Sequence, residues 1–493
     1  MVCFIGVIVM KKILMKYTGI SLLLILLLNI VGCGNNADKK YGLNPKNPVT
    51  IRLWHYYNGP QKIKFDKLVK EFNDTVGVEK GIVVEAESQI SIAGVIDNVN
   101  ASVNKEVAAK PMPDIISIYT DFAYKLDKQG FLVDLNKYLT EDEINEYIDS
   151  YINEGKLDDN LLKIFPIAKS TEVMMIDKVA FDKFSQATGA DINDLNTYEG
   201  IARTSKLYYE WTDSLTEEKN DGKSFFGRDA MANYMIIGTK ELGKDIVDVD
   251  DGQAKANIDE DIMRKLWDNF YVPYISGYYG SYGKYRSDDI KMGKNVAIVC
   301  ATTGATYFPK EVTVDNDKVY KTEAIVMKTP HFENKEPYCV QQGAGMAVVK
   351  SDPVHEYGAT VFLKWFTEID RNLDFSLDTG YLPVKKMSDT EYEKAKQTIE
   401  KSSSEKPVKE ALLTSIDEIK EYTPYTTKGF ENGEKVRVIL EDSLLNKSQK
   451  DLEEIKAQIS NGVDREQAIS NYNTEENFKS WFNDFNKSIN DLL

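Results

Sequence analysis

The order of apolar and polar residues predicts alternating strands and helices in the first third of the chain. Apolar and polar residues alternate over residues 49–54, which is the pattern of a half-buried strand, and apolar residues recur at helical spacing over residues 61–72. The succession continues with predicted strands at residues 81–86 and 113–119 and predicted helices at residues 92–109 and 122–135. Strands that alternate with helices of this length predict an α/β fold with a parallel sheet between helices.

The rest of the chain adds short strands and longer helices. Residues 164–175 predict paired short strands around a polar segment, and residues 296–301 and 343–349 predict two further apolar strands. A helix is predicted at residues 354–366, and the chain is mostly helical from residue 410 onward. Because 493 residues exceed what one compact core accommodates, we expect two lobes, each with a mainly parallel sheet flanked by helices.

The N-terminal segment has the pattern of an export signal. A stretch with three lysines, residues 10–16, precedes an uncharged run at residues 17–31 that is shorter than the ~20 apolar residues of a membrane-spanning helix. Gly32 and Cys33 follow, and residues 30–33 resemble the lipobox of bacterial lipoproteins. That resemblance implies that Cys33 is acylated and becomes the mature N-terminus.

These features predict the compartment of the protein. We expect residues 1–32 to be a lipoprotein signal peptide and residues 33–48 to be a flexible tether. The protein is then exported and held by its lipid at the outer face of the cell membrane. Met10, which directly precedes the basic stretch, is an alternative start to Met1.

Charge and composition exclude several function classes. Asp and Glu number 78 against 61 Lys and Arg, a formal net charge of −17, whereas nucleic-acid binding selects for clustered surplus basic residues. Only three histidines are present, at positions 55, 331 and 355, and no two are close enough in sequence to share one helix face. A helical His-x-x-x-His zinc site is therefore excluded, and a Ser-His-Asp mechanism has few candidate bases. We expect a binding protein that needs no metal or cofactor, rather than an enzyme.

Cys300 and Cys339 are the remaining cysteines of the exported chain after Cys33. A chain of this length does not need a disulfide for stability, and we expect two buried, unreactive thiols. Whether they pair is left open, because connectivity does not follow from sequence.

Polar and aromatic residues gather where the predicted strands end. The clusters are at residues 54–58, 119–121, 169–172, 302–304, 341–343 and 380–383. In open α/β sheets, ligands bind in the crevice beyond the carboxyl ends of the strands. Hydroxyls, amides and aromatic faces suit a polyol, because the C–H faces of a sugar lie on aromatic rings while its hydroxyls exchange hydrogen bonds.

These clusters, in this order, resemble those of the extracellular solute-binding lipoproteins of ABC importers, in the group that contains the maltose- and glycerol-3-phosphate-binding proteins. The matching segments are residues 51–55, 65–73, 113–116, 165–177, 296–304, 344–366 and 379–383. They cover nearly all of the chain after Cys33. The resemblance implies a monomer with two lobes joined by a hinge, which we place at residues 49–150 plus 343–385 and residues 151–342 plus 386–493. A membrane permease is the implied partner.

The same resemblance suggests ligand-contacting residues. Carried over position by position, the cleft-lining residues are Tyr119, Thr120, Ser170, Thr302, Gly343 and Tyr381. In the glycerol-3-phosphate branch a Thr-Lys-Gly segment precedes a ligand-binding arginine, and residues 427–429 with Arg437 match this pattern with a shorter spacer. Asp121 is a candidate substitute for the acidic residue that this branch has at the position of Thr120.

Two aromatic residues join this set as stacking surfaces for a sugar ring, Trp54 and Tyr57. Each candidate also has a structural alternative. Trp54 lies on a strand and fits the core equally well, Tyr381 could pack a turn, and Arg437 could be a surface residue in a salt bridge.

The resemblance implies capture of an extracellular carbohydrate, a sugar or an oligosaccharide, and its delivery to the permease. A polyol phosphate such as glycerol-3-phosphate is the alternative ligand, supported by Arg437 and by a helix N-terminus after Gly59. A surface glycosidase, which needs two suitably spaced carboxylates, and an adhesin or scaffold remain as further alternatives.

Overall fold

The structure is a computed structural model that describes residues 35–157, 161–250, 252–314 and 318–493. Cys33 and the predicted signal peptide lie outside these residues. Within the described ranges, every helix is too short or too polar to span a membrane.

The described strands are, in chain order, β1 (Val49–His55), β2 (Ile82–Ser88), β3 (Ile115–Ile118), β4 (Glu172–Asp177), β5 (Phe226–Arg228), β6 (Val247–Asp250), β7 (Gln253–Ala256), β8 (Ala297–Ala301), β9 (Glu311–Val314), β10 (Lys318–Lys321), β11 (Ala324–Lys328), β12 (Tyr338–Val340), β13 (Gly345–Val348) and β14 (Thr423–Tyr425). The described helices are α1 (Asn35–Tyr41), α2 (Gly59–Phe72), α3 (Val78–Lys80), α4 (Ile92–Val103), α5 (Thr120–Lys128), α6 (Glu141–Asn145), α7 (Asp149–Gly155), α8 (Lys178–Thr188), α9 (Tyr198–Asp213), α10 (Met231–Glu241), α11 (Glu260–Ile275), α12 (Arg286–Lys291), α13 (Pro353–Phe366), α14 (Ile369–Thr379), α15 (Asp389–Lys401), α16 (Lys406–Glu421), α17 (Gly433–Ser460), α18 (Arg465–Ser470) and α19 (Glu475–Asn490).

The first lobe is built on a four-stranded sheet with the order β13-β3-β1-β2. β1 runs parallel to β2 and β3, and β13 pairs antiparallel with β3. Alternate residues of β1 face opposite sides of this sheet, so that Ile51 and Leu53 pack against α2, α13 and α14. Trp54 packs on the other side, against α4 and α5. The strand–helix succession predicted from the sequence is confirmed in this lobe.

The second lobe contains a four-stranded sheet with the order β11-β4-β8-β5. β5 and β8 are parallel, but β4 is antiparallel to both of its neighbours. The sheets are therefore mixed, and the expected mainly parallel arrangement needs correction in this lobe. In the two four-stranded sheets, β4 and β13 are the strands that run antiparallel to their neighbours. The chain reaches each of these strands directly from the other lobe. Their direction is set by the crossing and not by a strand–helix–strand unit, which keeps successive strands parallel.

Three chain segments cross between the lobes side by side. In the first segment, Lys169 exchanges backbone hydrogen bonds with Leu382 of the third, with N···O distances of 3.2 and 2.5 Å. Ser170 exchanges them with Gln342 of the second, at 2.9 and 3.0 Å. The lobe boundary that we predicted at residue 150 lies inside α7, and the side chains up to Ala168 pack in the first-lobe cluster. We propose that the first lobe extends to residue 168.

The segment predicted to be a flexible tether is packed on the first lobe over its described part. Asp38 of α1 forms an ion pair with Lys80 at 2.6 Å and accepts a hydrogen bond from the Tyr357 hydroxyl at 3.0 Å. The Leu43 side chain is buried in the first-lobe cluster. Gly81 makes room for this segment, because a Cβ there would lie 2.3 Å from the Asn44 carbonyl oxygen. The polar composition of the segment had indicated a flexible chain, and it did not reveal these apolar and charged contacts with the first lobe.

Candidate functional site

A cleft with a volume of about 490 Å³ lies between the two lobes. The first lobe contributes the start of α4, the carboxyl end of β3 and Glu154 at the end of α7. The second lobe contributes α10 and the segment that leads from β14 into α17. Gln341 and Gln342 of the second crossing form part of its wall. The cleft therefore opens beyond the carboxyl end of a strand, the position expected for a ligand site in an α/β sheet.

Four of the predicted residues line this cleft: Tyr119, Thr120, Asp121 and Arg437. Tyr119 is the last residue before α5, and 38% of its surface is exposed. Arg437 lies one turn into α17, on the opposite wall. The structure thus brings together residues that are more than three hundred positions apart in sequence.

Trp54 and Tyr57 are placed outside the lining of the cleft. Trp54 is 4% exposed and lies in the core between the first-lobe sheet and α4 and α5. Tyr57 is fully buried and packs its ring against Phe65 and Phe375, with centroid distances of 5.0 and 5.5 Å. In this conformation both aromatic residues fill core positions, so neither presents a face to the cleft.

The other four predicted residues lie at the crossings. Ser170 and Gly343 are in the first and second crossing, where Gly343 has a φ of +95° and a Cβ would lie 3.1 Å from the Ala168 carbonyl oxygen. Thr302 is fully buried at the end of β8, and its hydroxyl has no hydrogen-bond partner among the described residues. Tyr381 is 4% exposed in the third crossing. None of these four residues is part of the cleft lining.

A group of three tyrosines connects Tyr381 of the third crossing to Tyr119 on the cleft wall. The hydroxyls of Tyr56 and Tyr381 are 2.8 Å apart and hydrogen-bonded. Burial raises the pKa of Tyr119, and its hydroxyl interacts with that of Tyr56. Burial also raises the pKa of Tyr56 and Tyr381 well above the ordinary value, so all three hydroxyls are neutral donors and acceptors at physiological pH.

The two lobes touch each other at the edge of the cleft. A Cβ on Gly429 would lie 2.7 Å from the Thr120 carbonyl oxygen, and a Cβ on Gly433 would lie 2.2 Å from an Asp121 carboxylate oxygen. The Phe430 N–H donates to that same carboxylate at 3.4 Å. Two glycines therefore permit the start of α17 to approach the start of α5, and this contact closes one side of the cleft.

Asp121 is held in an unusual state by this contact. Its burial between the lobes raises the pKa of the Asp121 carboxyl to about 6, and the Phe430 N–H offsets part of this effect. The negative charge of Glu434 raises the pKa further, whereas Arg437 lowers it. Asp121 thus titrates close to neutrality in the closed arrangement.

Sequence reasoning missed a polar chain that starts at Arg437. The Arg437 guanidinium donates to the Asn233 amide oxygen at 2.8 Å, and the Asn233 amide donates to Glu172 at 2.9 Å and to Gln342 at 3.1 Å. Glu172 also binds Arg228 in a buried ion pair at 2.7 Å. The signal was present in the sequence, because Asn233 interrupts the otherwise apolar run of α10.

A second polar group ties the crossings to the cleft wall. The Lys169 ammonium binds the Glu154 carboxylate at 2.7 Å and donates to the Gly343 carbonyl oxygen at 2.8 Å. Gln341 also donates to Glu154. The side chains of Lys169 and Glu154 are 2% and 7% exposed, so this is a buried ion pair with nearly all of its hydrogen bonds satisfied by protein.

Carboxylates outnumber cations on the cleft wall. The lining residues include Asp121, Glu154, Glu434 and Glu441 but a single arginine, Arg437. Glu441 accepts hydrogen bonds from the Met231 and Ala232 N–H groups, at 3.1 and 2.8 Å, so it occupies the N-terminus of α10 that an anionic ligand would otherwise use.

Among the described residues, no cluster of acidic, histidine and cysteine side chains could hold a metal ion. Cys300 and Cys339 are both buried and unpaired.

Comparison with known proteins assigns the fold and the family. A sequence profile of bacterial extracellular solute-binding proteins matches residues 67–401, more than half of the chain. The chain belongs to this family. It is therefore the solute-binding protein of an ABC importer, and the prediction of a binding protein without enzymatic activity is confirmed. A search of curated protein sequences finds no match.

Solved structures of solute-binding proteins show the same architecture. The cyclic α-maltosyl-1,6-maltose binding protein from Arthrobacter globiformis is 16% identical, with a TM-score of 0.64 over 90% of this chain and 99% of that chain. An ABC substrate-binding protein from Listeria monocytogenes in complex with cycloalternan is 15% identical, with a TM-score of 0.62 over 90% of this chain and 100% of that chain. UgpB from Mycobacterium tuberculosis in complex with glycerophosphocholine is 16% identical, with a TM-score of 0.61 over 89% of this chain and 99% of that chain. The α/β periplasmic-binding-protein fold is thereby confirmed.

Proposed function

We propose that this solute-binding protein captures a neutral carbohydrate, a sugar or an oligosaccharide, in the cleft between its lobes. The observation that carries the proposal is the make-up of the wall, in which an aromatic residue with 38% of its surface exposed, Tyr119, lies among hydroxyls, amides and carboxylates. Such groups accept and donate hydrogen bonds to sugar hydroxyls while the ring covers a C–H face. Of the three similar structures described above, one is a cyclic α-maltosyl-1,6-maltose binding protein and another is in complex with cycloalternan.

Binding is expected to draw the lobes together. A ligand in the cleft would contact Tyr119 and Asp121 on one lobe and Arg437 on the other, so its full set of contacts exists only in the closed form. The ligand then shifts the hinge equilibrium by the difference between its affinities for the closed and the open form. A micromolar Kd corresponds to about −8 kcal/mol, which a few hydrogen bonds and one stacked ring supply.

A polyol phosphate is the second candidate ligand, and the position of Arg437 on the cleft wall favours it. Three considerations weigh against it: Asp121 and Glu434 are close to Arg437, its guanidinium already binds Asn233, and the N-terminus of α10 is occupied by Glu441. Replacing Arg437 with Ala is expected to leave sugar binding measurable. Complete loss of binding of glycerol-3-phosphate in the same variant would establish the alternative.

Titration calorimetry of residues 34–493 against a panel of mono- and oligosaccharides, glycerol-3-phosphate and glycerophosphocholine tests the assignment. We expect at least one neutral sugar to bind with micromolar affinity or better and to raise the melting temperature. Protein that is folded by circular dichroism and binds no member of the panel would contradict the proposal.

Tyr119 provides the first mutational prediction. Replacing Tyr119 with Ala removes the ring from the cleft wall together with the hydroxyl contact to Tyr56, and the loss of the ring is expected to lower sugar affinity by roughly tenfold to a hundredfold. Tyr119→Phe keeps the ring and is the matched control, expected to stay within a few-fold of the unaltered protein. Calorimetry with the same sugar measures both. Equal affinities of the Ala and Phe variants would exclude stacking on Tyr119.

The pH dependence of binding follows from Asp121. When the lobes separate, Asp121 regains water and its pKa is expected to return towards 3.8, whereas in the closed form the pKa is about 6. Below about pH 3 the carboxyl is neutral in both forms, and above pH 6 closure must bury its charge. Sugar affinity is therefore expected to fall by roughly tenfold from pH 5 to pH 7. Asp121→Asn is expected to flatten this profile, and an unchanged profile would contradict the assignment.

The anchor and the partner complete the proposal. We propose that Cys33 is acylated and that the lipid holds the protein at the outer face of the cell membrane. One acyl chain anchors only marginally, so more than one chain on the cysteine is required. The permease of the ABC importer, implied by the family, is the partner that receives the solute from the closed cleft.

A further inference from the structure

The docked N-terminal segment restricts how an anchored molecule stands on its membrane. Tyr41 of α1 packs its ring against Tyr357 and Tyr138, with centroid distances of 4.5 and 5.1 Å, and its hydroxyl donates to the Lys137 carbonyl oxygen at 3.3 Å. With the ion pair of Asp38, these contacts attach α1 to one face of the first lobe. The chain from α1 onward is therefore part of the folded lobe and not a free linker.

Covalent geometry places the anchor point close to this face. Cys33 precedes Asp38 by five residues. Since an extended chain advances at most ~3.6 Å per residue, the Cα of Cys33 lies within about 18 Å of the Cα of Asp38 whatever path the intervening residues take. A compact lobe of this size is roughly 40 Å across, so a lipid on Cys33 holds one particular side of it next to the membrane.

The charge of this side differs from that of the whole protein. Residues 35–48 contain Lys39, Lys40, Lys46 and one acidic residue, Asp38, and residues 78–81 add Lys80 and Glu79, so this side has four lysines against two acidic residues although the complete chain has a net charge of −17. Lys39, Lys40 and Lys46 are exposed, and Asp38 is engaged by Lys80. Lysines immediately beside a lipid anchor attract the anionic headgroups of a membrane surface, over about one Debye length.

We propose that the surface formed by α1, residues 42–48 and residues 78–81, which we term the anchor face, rests on anionic lipid headgroups. This inference depends on the proposed acylation of Cys33. It has a mechanical consequence: the first lobe is fixed to the membrane, and the second lobe is the one that moves when the cleft opens and closes.

Fluorescence quenching on vesicles tests the orientation. Val78 is 68% exposed on the anchor face but 45 residues from Cys33 in sequence, and Leu207 is 38% exposed on α9 of the second lobe. Each is replaced by Cys in full-length protein produced as a lipoprotein in bacteria, so that Cys33 is consumed by acylation. Cys300 and Cys339 are buried, and a maleimide fluorophore therefore reacts with the engineered thiol. The vesicles contain phosphatidylglycerol, phosphatidylcholine and a lipid with a nitroxide on its headgroup.

The label at position 78 is expected to lose most of its fluorescence and the label at position 207 to keep most of it. A combined Asp38→Ala, Tyr41→Ala and Leu43→Ser variant detaches α1 and is expected to remove this difference. Equal quenching at both positions in acylated protein would overturn the inference and leave the anchor intact. An unmodified Cys33 in the mass spectrum would instead overturn the anchor proposal, and the orientation with it.

The contribution of charge is measured separately. Replacing Lys39, Lys40 and Lys46 together with Gln, or omitting phosphatidylglycerol, is expected to weaken the quenching at position 78. The docking contacts of Asp38 and Tyr41 remain in this variant, so it isolates attraction to the headgroups. Quenching at position 78 that is unaffected by both changes would refute the contact with anionic lipid.

Discussion

Replacing Lys169 with Met is expected to lower the free energy of unfolding by about 3–5 kcal/mol, the largest effect on stability that we predict. The substitution leaves the Glu154 carboxylate at 7% exposure without its cation, and it removes the hydrogen bond to the Gly343 carbonyl oxygen. A buried charge that has lost its partner retains the cost of desolvation without the compensating attraction. Urea denaturation followed by circular dichroism measures the difference.

Two further variants distinguish this explanation from a general sensitivity to substitution. Lys178→Met removes a surface ion pair with Asp182, in which both side chains are 45% exposed, and is expected to cost less than about 1 kcal/mol. Adding Glu154→Gln to Lys169→Met removes the unpaired charge and is expected to restore much of the lost stability. If the double variant is as unstable as the single one, the buried charge is not the cause.

Replacing Gly429 with Ala is expected to lower sugar affinity by about tenfold or more, because a loss of about 1.4 kcal/mol in the free energy of closure already corresponds to a factor of ten. The added Cβ would lie 2.7 Å from the Thr120 carbonyl oxygen, which is backbone of the other lobe. The clash disappears when the lobes move apart, so the substitution selects against the closed form without disturbing either core. The melting temperature without ligand is therefore expected to change little.

Calorimetry with the tightest sugar of the panel measures the loss of affinity, and small-angle scattering measures closure. Scattering from the Gly429→Ala variant is expected to show a larger radius of gyration with the sugar than the unaltered protein shows. Lys428→Ala, at the adjacent exposed position, is the matched control and is expected to bind normally. Unaltered affinity of Gly429→Ala would mean that the lobes need not meet at this edge for binding.

Several local expectations from the sequence agree with the structure, and the differences have physical causes. The predicted helix at residues 92–109 ends at Val103, where Lys105 and Ala108 adopt positive φ values of 54° and 66°. The predicted paired strands at residues 164–175 are one crossing segment followed by β4. Apolar alternation identifies a segment as extended, but it does not say whether its partner lies in the same lobe.

The predicted site residues divide between the cleft wall and the core, for a comparable reason. Tyr119, Thr120 and Asp121 were identifiable because they follow a buried strand, where ligand sites of α/β folds are found. Trp54 and Tyr57 lie at and just beyond the end of another buried strand, β1, yet both side chains pack in the core. Residues at a strand end alternate between two faces, and the strand pattern does not say which face borders the cleft.

The sequence by itself determined the α/β pattern of the first lobe, the absence of a helical His-x-x-x-His metal motif and the family resemblance, and it predicts an export signal in residues 10–33. These conclusions depend on local residue spacing and on residue counts, which are properties of the sequence before the chain folds. Only the tertiary structure decided that Asp121 meets the start of α17, that Asn233 links Arg437 to Glu172, and that α1 is docked. Each of these joins residues far apart in sequence, and such contacts exist only after the crossings have set the two lobes against each other.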